Sequence, residues 1–261
     1  MDNFQKLVDI MTLLRSKDGC PWDKVQTNES IKPYLIEETY EVIEAIDEKD
    51  PVKMKEELGD LLLQVVFHAQ IAKDRGEFDI NDVIDKISDK MVSRHPHVFG
   101  DAKFETPEEV TKQWQDRKRE EGKLKDSALE GVPKELPSLL RAHRLQSRAA
   151  KVGFDWAKVE DVFGKLDEEL TEFKEAFEKK DKKEIEDELG DIFFVLVNIS
   201  RFVGVNAEEA LRKTISKFIS RFRYIEMTAA DEGRQLSDMS LEEMDALWDE
   251  AKKGEKQTGI A

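Results

Sequence analysis

The sequence predicts an all-α protein of two tandem helical-bundle domains. Three observations carry that expectation: a pervasive 3.6-residue apolar period, the lack of convincing period-2 segments, and an ordered set of motifs that occurs twice. A chain of 261 residues has room for two compact domains of roughly 100–200 residues each. Its composition is 38% charged and 39% hydrophobic, with 13 Gly and 7 Pro. That suits a helical protein better than a turn-rich all-β one and argues against disorder throughout.

Taken from the start, Phe4, Leu7, Val8, Met11 and Leu14 recur at helical spacing with polar residues between them. The first segment therefore reads as an amphipathic helix kept in the mature protein and not as a signal peptide. Further on, Leu58, Leu61, Leu62, Val65, Val66 and Ala69 form one apolar stripe. Even the most apolar stretch, LLLQVVFHAQIA, is interrupted by Gln and His and falls short of the ~18 apolar residues of a membrane span, so no membrane role is expected. Caps, turns or linkers are expected at Asp50-Pro51, Gly76, the HPHVFGDAKFETP stretch, the KDSALEGVPKELP stretch, Gly153, Gly204 and Gly233. Two groups of about four to five helices result.

The two groups repeat one another. Glu37-Glu38-x-x-Glu41 is followed by Glu57-Leu58-Gly59-Asp60, and Glu168-Glu169-x-x-Glu172 is followed by Glu188-Leu189-Gly190-Asp191, with the same gap between the two motifs each time. Trp22-x-Lys24-Val25 matches Trp156-x-Lys158-Val159, Lys90-x-x-x-Arg94 matches Lys217-x-x-x-Arg221, and Trp114-x-x-x-Lys118 matches Trp248-x-x-x-Lys252. The offset between copies drifts by a few residues, as expected when helices are kept and loops change length. Gly131, Pro133 and Pro137 mark a linker, so the domains are expected at residues 1–125 and 138–261, with 126–137 between them.

Charge narrows the function. A net −16 argues against a nucleic acid polymer as partner, which normally meets a clustered basic face. The single cysteine, Cys20, excludes an intrachain disulfide and fits a reducing cytoplasm. On a helix, residues three apart share a face, so Glu169 with Glu172, and Glu188 with Asp191, present paired carboxylates, as do Glu38 with Glu41 and Glu57 with Asp60. A lone EExxE is ordinarily a solvated acidic face, but such a face has no reason to keep identical spacing twice. In each copy a short break separates the acidic helices, which should pack as an antiparallel hairpin and bring four carboxylates together.

Clustered carboxylates without thiols or imidazoles suit hard cations. Magnesium in particular binds through a few carboxylates together with water and substrate phosphate oxygens. The metal would offset both the repulsion among the glutamates and that between an acidic protein and a polyphosphate. Gly59 and Gly190 fall inside a helix, where Gly costs ~1 kcal/mol relative to Ala, so close packing of a helix or close approach of a nucleotide is needed to explain them.

Lys217 with Arg221, and Trp248 with Lys252, stand one helical turn apart. The cations can bind phosphate oxygens that the metal leaves free, and Trp248 is either core or a stacking surface for a base. Lys165, four residues before Glu169, is a phosphate contact or a helical ion pair. The four histidines form no metal constellation: Glu-x-x-His motifs are missing, as are GxxxxGK, GxGxxG and HExxH. No nucleophilic serine or cysteine signature is present either.

These motifs, together with GCPWD at Gly19–Asp23, LIEETYEVIEAID, EELGDLLLQVVFHAQ, RHPHVF, VGFDW and DELGDIFF, resemble the long, two-domain members of the MazG family of all-α nucleoside triphosphate pyrophosphohydrolases. The resemblance covers nearly the whole chain. It implies that Glu169, Glu172, Glu188 and Asp191 bind Mg2+, and that Lys165, Glu168, Lys217, Arg221, Trp248 and Lys252 contact the nucleotide. The first-copy counterparts are Glu38, Glu41, Glu57, Asp60, Lys90, Arg94, Trp114 and Lys118. It further implies a homodimer and hydrolysis of NTP to NMP and pyrophosphate over a broad base range.

In that reaction metal would orient a water toward the α-phosphorus and Glu168 or Glu169 would take its proton, while Lys217, Arg221 and Lys252 would neutralise the departing pyrophosphate. Two other readings stand beside this one: a non-catalytic helical dimer that binds metal or nucleotide, and a narrow dUTP or dCTP pyrophosphatase. Retention of Lys, Arg and Trp beside the acids disfavours the first, and the tandem arrangement with GCPWD disfavours the second.

Overall fold

The computed structural model describes residues 3–104, 106, 109–110, 113 and 127–258. Trp114 and Lys118 lie outside the described residues, as does the start of the expected linker at Asp126. Among the described residues there are eleven α-helices, one 3-10 turn and no strand. The chain divides into two compact units, Met1–Leu124 and Lys125–Ala261.

In the first unit, α1 (Asn3–Arg15) and the short α2 (Pro21–Val25) precede two long helices, α3 (Asn28–Glu48) and α4 (Pro51–Asp74), followed by α5 (Ile80–Arg94) and α6 (Pro96–Phe99). Helix α4 is the central element: it packs against α3, α1 and α5. Its second half buries Val66, Phe67, Ala69, Ile71 and Ala72, and the core of the unit closes around Val8, Met11, Ile31 and Ile80. The HPHVF segment, expected as a break, holds the one-turn α6, because Pro96 supplies the fixed φ of a helix start.

Gly19 explains the tight link between α1 and α2. A Cβ there would lie 2.2 Å from the Leu14 carbonyl oxygen and 2.3 Å from that of Leu13. Glycine thus lets the loop fold back on the end of α1, where the Cys20 N–H donates to the Leu14 carbonyl at 2.8 Å.

The second unit repeats the plan. Helices α7 (Ser138–Lys151), α8 (Val159–Lys179) and α9 (Lys182–Phe202) follow, with α8 and α9 forming the hairpin and α7 packing on α9, and α10 (Ala207–Asp231) packs on α7, α9 and α11 (Leu241–Thr258). Arg201 on α9 pairs with Asp155 and so anchors the VGFDW loop before α8. Here α9 takes the central place that α4 has in the first unit.

Both hairpins turn in the same way. Lys49 and Lys180 end the first helix in the left-handed region at φ 56 and 57, and Asp50 and Asp181 cap the second. Asp50 Oδ1 accepts from the Val52 and Lys53 N–H groups at 2.8 and 3.1 Å, and Asp181 Oδ1 accepts from Lys183 and Glu184 at 3.0 and 3.3 Å. This two-residue connection fixes the antiparallel register and hence which carboxylates face each other. Asp181→Ala is expected to cost about 1 kcal/mol of stability through loss of the cap. Lys180→Gly is expected to gain up to ~1 kcal/mol by relieving the left-handed backbone. Urea unfolding followed by circular dichroism checks both.

Candidate functional site

Each hairpin gathers acids from both of its helices. In the second unit Glu169 and Glu172 on α8 and Glu188 on α9 place carboxylate oxygens within 4.8 Å of one another, and in the first unit Glu38, Glu41 and Glu57 do the same. Three of the four expected carboxylates therefore meet in each unit. The fourth, Asp60 or Asp191, lies outside the trio but close enough to act on its charge. It stands one turn beyond Glu57 or Glu188 on the same helix face.

The trios are electrostatically loaded. Burial, then the charges of Glu172 and Glu169, raises the pKa of Glu188 above the ordinary glutamate value of 4.5. Glu57 is raised first by burial and then by Glu41 and Asp60. Glu38 is raised by burial, by its hydrogen bond with Glu41 and by the charge of Asp60. A cation at either trio would reverse these shifts, and an all-oxygen donor set of converging carboxylates fits a hard divalent ion.

The two sites differ in their surroundings. Glu169 is 4% exposed, and its carboxylate is held by Lys165 Nζ at 2.7 Å, which also donates to Glu168 at 2.8 Å. Lys165 thus forms a helical ion pair, one of the two roles its spacing allows. At the matching place in the first unit stands Tyr34, and Glu38 meets instead the amide nitrogen of Gln64 at 3.5 Å.

The basic and aromatic residues of the second unit form a group of their own on α10 and α11. The Arg221 guanidinium makes a two-pronged pair with Glu255, at 3.0 and 2.7 Å, and lies over the Trp248 ring at 5.3 Å. Trp248 also packs against Phe218 at 5.3 Å between ring centres and is half-buried, so one part of it serves the core. Lys217 is near enough to lower the pKa of Glu255, after the larger effect of Arg221, and both Lys217 and Lys252 are exposed. Among the described residues, no ion pair links these cations to the acidic trio. In the first unit Lys90 lies on α5 in a groove of about 370 Å³ with Phe78 and Asp82, and Arg94 is buried.

The helix glycines stand in open space. A Cβ at Gly59 or Gly190 would meet nothing within 4 Å, so packing within the chain requires neither glycine. Sequence reasoning also passed over Gln64 and Glu255. Gln64 left a signal, since it breaks the apolar run LLLQVVFHAQ on the same stripe as Glu57 and Asp60. Glu255, far along α11, left only a repeat, three residues after Lys252 as Glu121 is after Lys118.

Comparison with known proteins agrees with this arrangement. The family model of the MazG nucleotide pyrophosphohydrolase domain matches residues 26–99 and 158–225, each match containing one complete acidic hairpin. The chain is 51% identical over 254 residues to the nucleoside triphosphate pyrophosphohydrolase/pyrophosphatase MazG of Thermotoga maritima, covering 97% of each chain. It is 44% identical over 262 residues to a nucleoside triphosphate pyrophosphohydrolase of Escherichia coli, covering 98% of this chain and 99% of that one. A solved mazG-related protein from Thermotoga maritima aligns at 31% identity and a TM-score of 0.39, over 44% of this chain and 98% of its own. The chain belongs to the MazG family.

The raised pKa of Glu188 has a testable sign. A carboxyl that is harder to ionise when folded favours the fold in its protonated form. That contribution is complete below the ordinary value of 4.5 and is lost as pH rises through the raised folded value. In metal-free protein, Glu188→Gln is expected to raise the thermal midpoint at pH 7, with the advantage vanishing on acidification below the ordinary glutamate range. Calorimetry across that pH range checks it.

Proposed function

We propose that this chain is a nucleoside triphosphate pyrophosphohydrolase that uses Mg2+ to convert NTPs and dNTPs to the monophosphate and pyrophosphate. The observation that carries the reading is the duplicated carboxylate trio, held by a hairpin of the same geometry in both halves of the chain, each within a stretch that the family model matches. Glu169, Glu172 and Glu188, with Asp191 beside them, would hold the metal. Bound there, the metal supplies charge for the phosphate oxygens and acidity to a water. The relatives named as nucleoside triphosphate pyrophosphohydrolases support the substrate class.

The chain's own residues do the rest. Glu168 is exposed beside the trio and shares Lys165 with Glu169, so it is the freer of the two to accept a proton from water. Lys165 orients both carboxylates and is the cation nearest the place where phosphates would enter. Lys217, Arg221 and Lys252 are the candidates for the leaving pyrophosphate, with Trp248 a surface for the base. Arg221 would have to exchange its pairing with Glu255 for phosphate to serve in that way. The second unit is the principal site in this reading, on the strength of that cation set.

Homodimerisation is part of the proposal. Leu62 follows Gly59, and Phe193 follows Gly190, by one turn; they are 41% and 50% exposed, and the space over both glycines is open. A helix of a second copy fits such a face, where Gly permits close approach. Among the described residues no helix is long and apolar enough to cross a membrane, and the lone free Cys20 suits the cytoplasm in which we place the enzyme.

Two experiments test these readings. Mg2+-dependent release of NMP and pyrophosphate from a panel of NTPs and dNTPs is expected to fall at least ~100-fold in Glu172→Ala, since removing a metal ligand removes the charge stabilisation it supports. Glu41→Ala in the first unit is expected to have a smaller effect. Loss only in the double variant would instead make both units competent, and no pyrophosphate from wild type would overturn the enzyme. Separately, the double variant Leu62→Asp/Phe193→Asp is expected to sediment as a monomer, and an unchanged dimer would place the interface elsewhere.

A further inference from the structure

We propose that Glu255 competes with phosphate for Arg221: its carboxylate holds the guanidinium while the site is empty, yields it to a phosphate, and takes it back as pyrophosphate leaves. The inference rests on reading Arg221 as a contact for the departing pyrophosphate. It adds a residue, acting through Arg221, that sets how tightly that product is held.

The pair has the form that a phosphate contact would take. Glu255 Oε2 accepts from Arg221 Nε at 3.0 Å and from Nη2 at 2.7 Å, and Oε1 accepts from Nε at 3.2 Å. Two carboxylate oxygens on the side edge of a guanidinium stand where two phosphate oxygens would stand. Nε carries a single hydrogen, so that edge serves one anion at a time. The Trp248 ring under the guanidinium keeps the group in place whichever anion it holds.

The pair is also strong enough to matter. Its side chains are 16% and 18% exposed, so water and salt screen it less than an ion pair on the open surface. The hydrogen bond from Arg221 holds the Glu255 carboxyl below the ordinary glutamate value of 4.5, and the charges of Arg221 and Lys217 add to that effect. Glu255 is therefore an anion at neutral pH. Lys217 stands one turn before Arg221 on α10, so a phosphate that displaced Glu255 would meet both cations.

Glu255 sits where it can move. It enters the last turn of α11, where backbone carbonyls lack partners within the helix. Gly254 precedes it, and a Cβ there would meet nothing within 4 Å, so packing within the chain does not require that glycine. Gly is the poorest helix former after Pro and loosens the turn that carries the acid.

The acid repeats together with the cation it meets. Trp248-x-x-x-Lys252-x-x-Glu255 matches Trp114-x-x-x-Lys118-x-x-Glu121, as Arg221 matches Arg94. Glu121 lies outside the described residues, yet its spacing in the sequence is the same. A solvated acid has no reason to keep that register in both copies.

The test is titration calorimetry of the full chain with Mg2+ and pyrophosphate, which needs no turnover. The second-unit site is identified as the binding lost in Arg221→Gln. Glu255→Gln keeps the shape and removes the charge; it is expected to bind pyrophosphate about tenfold more tightly than wild type, as when about nine molecules in ten hold the pair closed. Glu255→Asp keeps the charge with a shorter reach and is expected to fall between the two. Glu250→Gln removes a neighbouring acid of α11 that meets the Tyr224 hydroxyl, and is expected to leave the affinity unchanged. In turnover, added pyrophosphate is expected to inhibit Glu255→Gln at about tenfold lower concentration than wild type.

Weaker binding in Glu255→Gln would make Glu255 a support for Arg221 and overturn the competition. Unchanged affinity would place the phosphate away from that edge, and a gain matched by Glu250→Gln would reduce the effect to general charge repulsion; either overturns it too. So would full retention of binding in Arg221→Gln, or no binding in both wild type and Glu255→Gln. Failure of wild type to release pyrophosphate from any NTP is a separate outcome that would sink the enzymatic reading and leave the calorimetric comparison standing.

Discussion

Three carboxylates whose oxygens lie within 4.8 Å repel, and each unit must hold its trio together against that repulsion. The hairpin supplies the means. A left-handed lysine and a capping aspartate close the turn, apolar residues on the inner faces bind the two helices, and register follows from the turn. The raised pKa values of Glu38, Glu57 and Glu188 record the residual conflict. A site that is unfavourable when empty of cations is well disposed to take one, because binding removes the conflict that folding left.

Duplication lets one hairpin serve under two sets of conditions. In the second unit, Lys165 lies against Glu168 and the buried Glu169, so a cation is built into the acidic face. In the first, an amide and a corner of aromatic rings occupy the corresponding places. The carboxylates and the glycines of ELGD are the same in both copies, while the residues one and two turns away differ.

The chain also leaves much apolar surface open. Phe193 and Phe194 on α9, and Ile215, Phe218 and Ile219 on α10, are all about half exposed, while the second unit buries few large side chains. Burial of such a surface against another helix contributes at about 25 cal/mol per Å². The glycines set in the hairpin face lower the steric barrier to close approach there.

Periodicity and repetition made the helices, the two copies and the acidic hairpins legible before any coordinates, since each depends on local spacing: 3.6 residues per turn, a break, and an aspartate placed to cap. The membership of Glu169, Glu172 and Glu188 in one cluster follows from the same spacing. What the sequence could not determine is which partner each side chain meets across helices. Arg221 reads as a free cation at i+4 from Lys217, yet α11 brings Glu255 to it from 34 residues away. Gly59 and Gly190 read equally well as packing or access positions until the folded chain left the space beside them open. Gln64 reads as an interruption in an apolar run, and only the packing of α1, α2 and α3 around α4 turns it into a buried amide facing an aromatic corner. Local pattern fixes the elements because backbone geometry is periodic, whereas pairings across helices depend on how whole faces pack, and no short-range period encodes that.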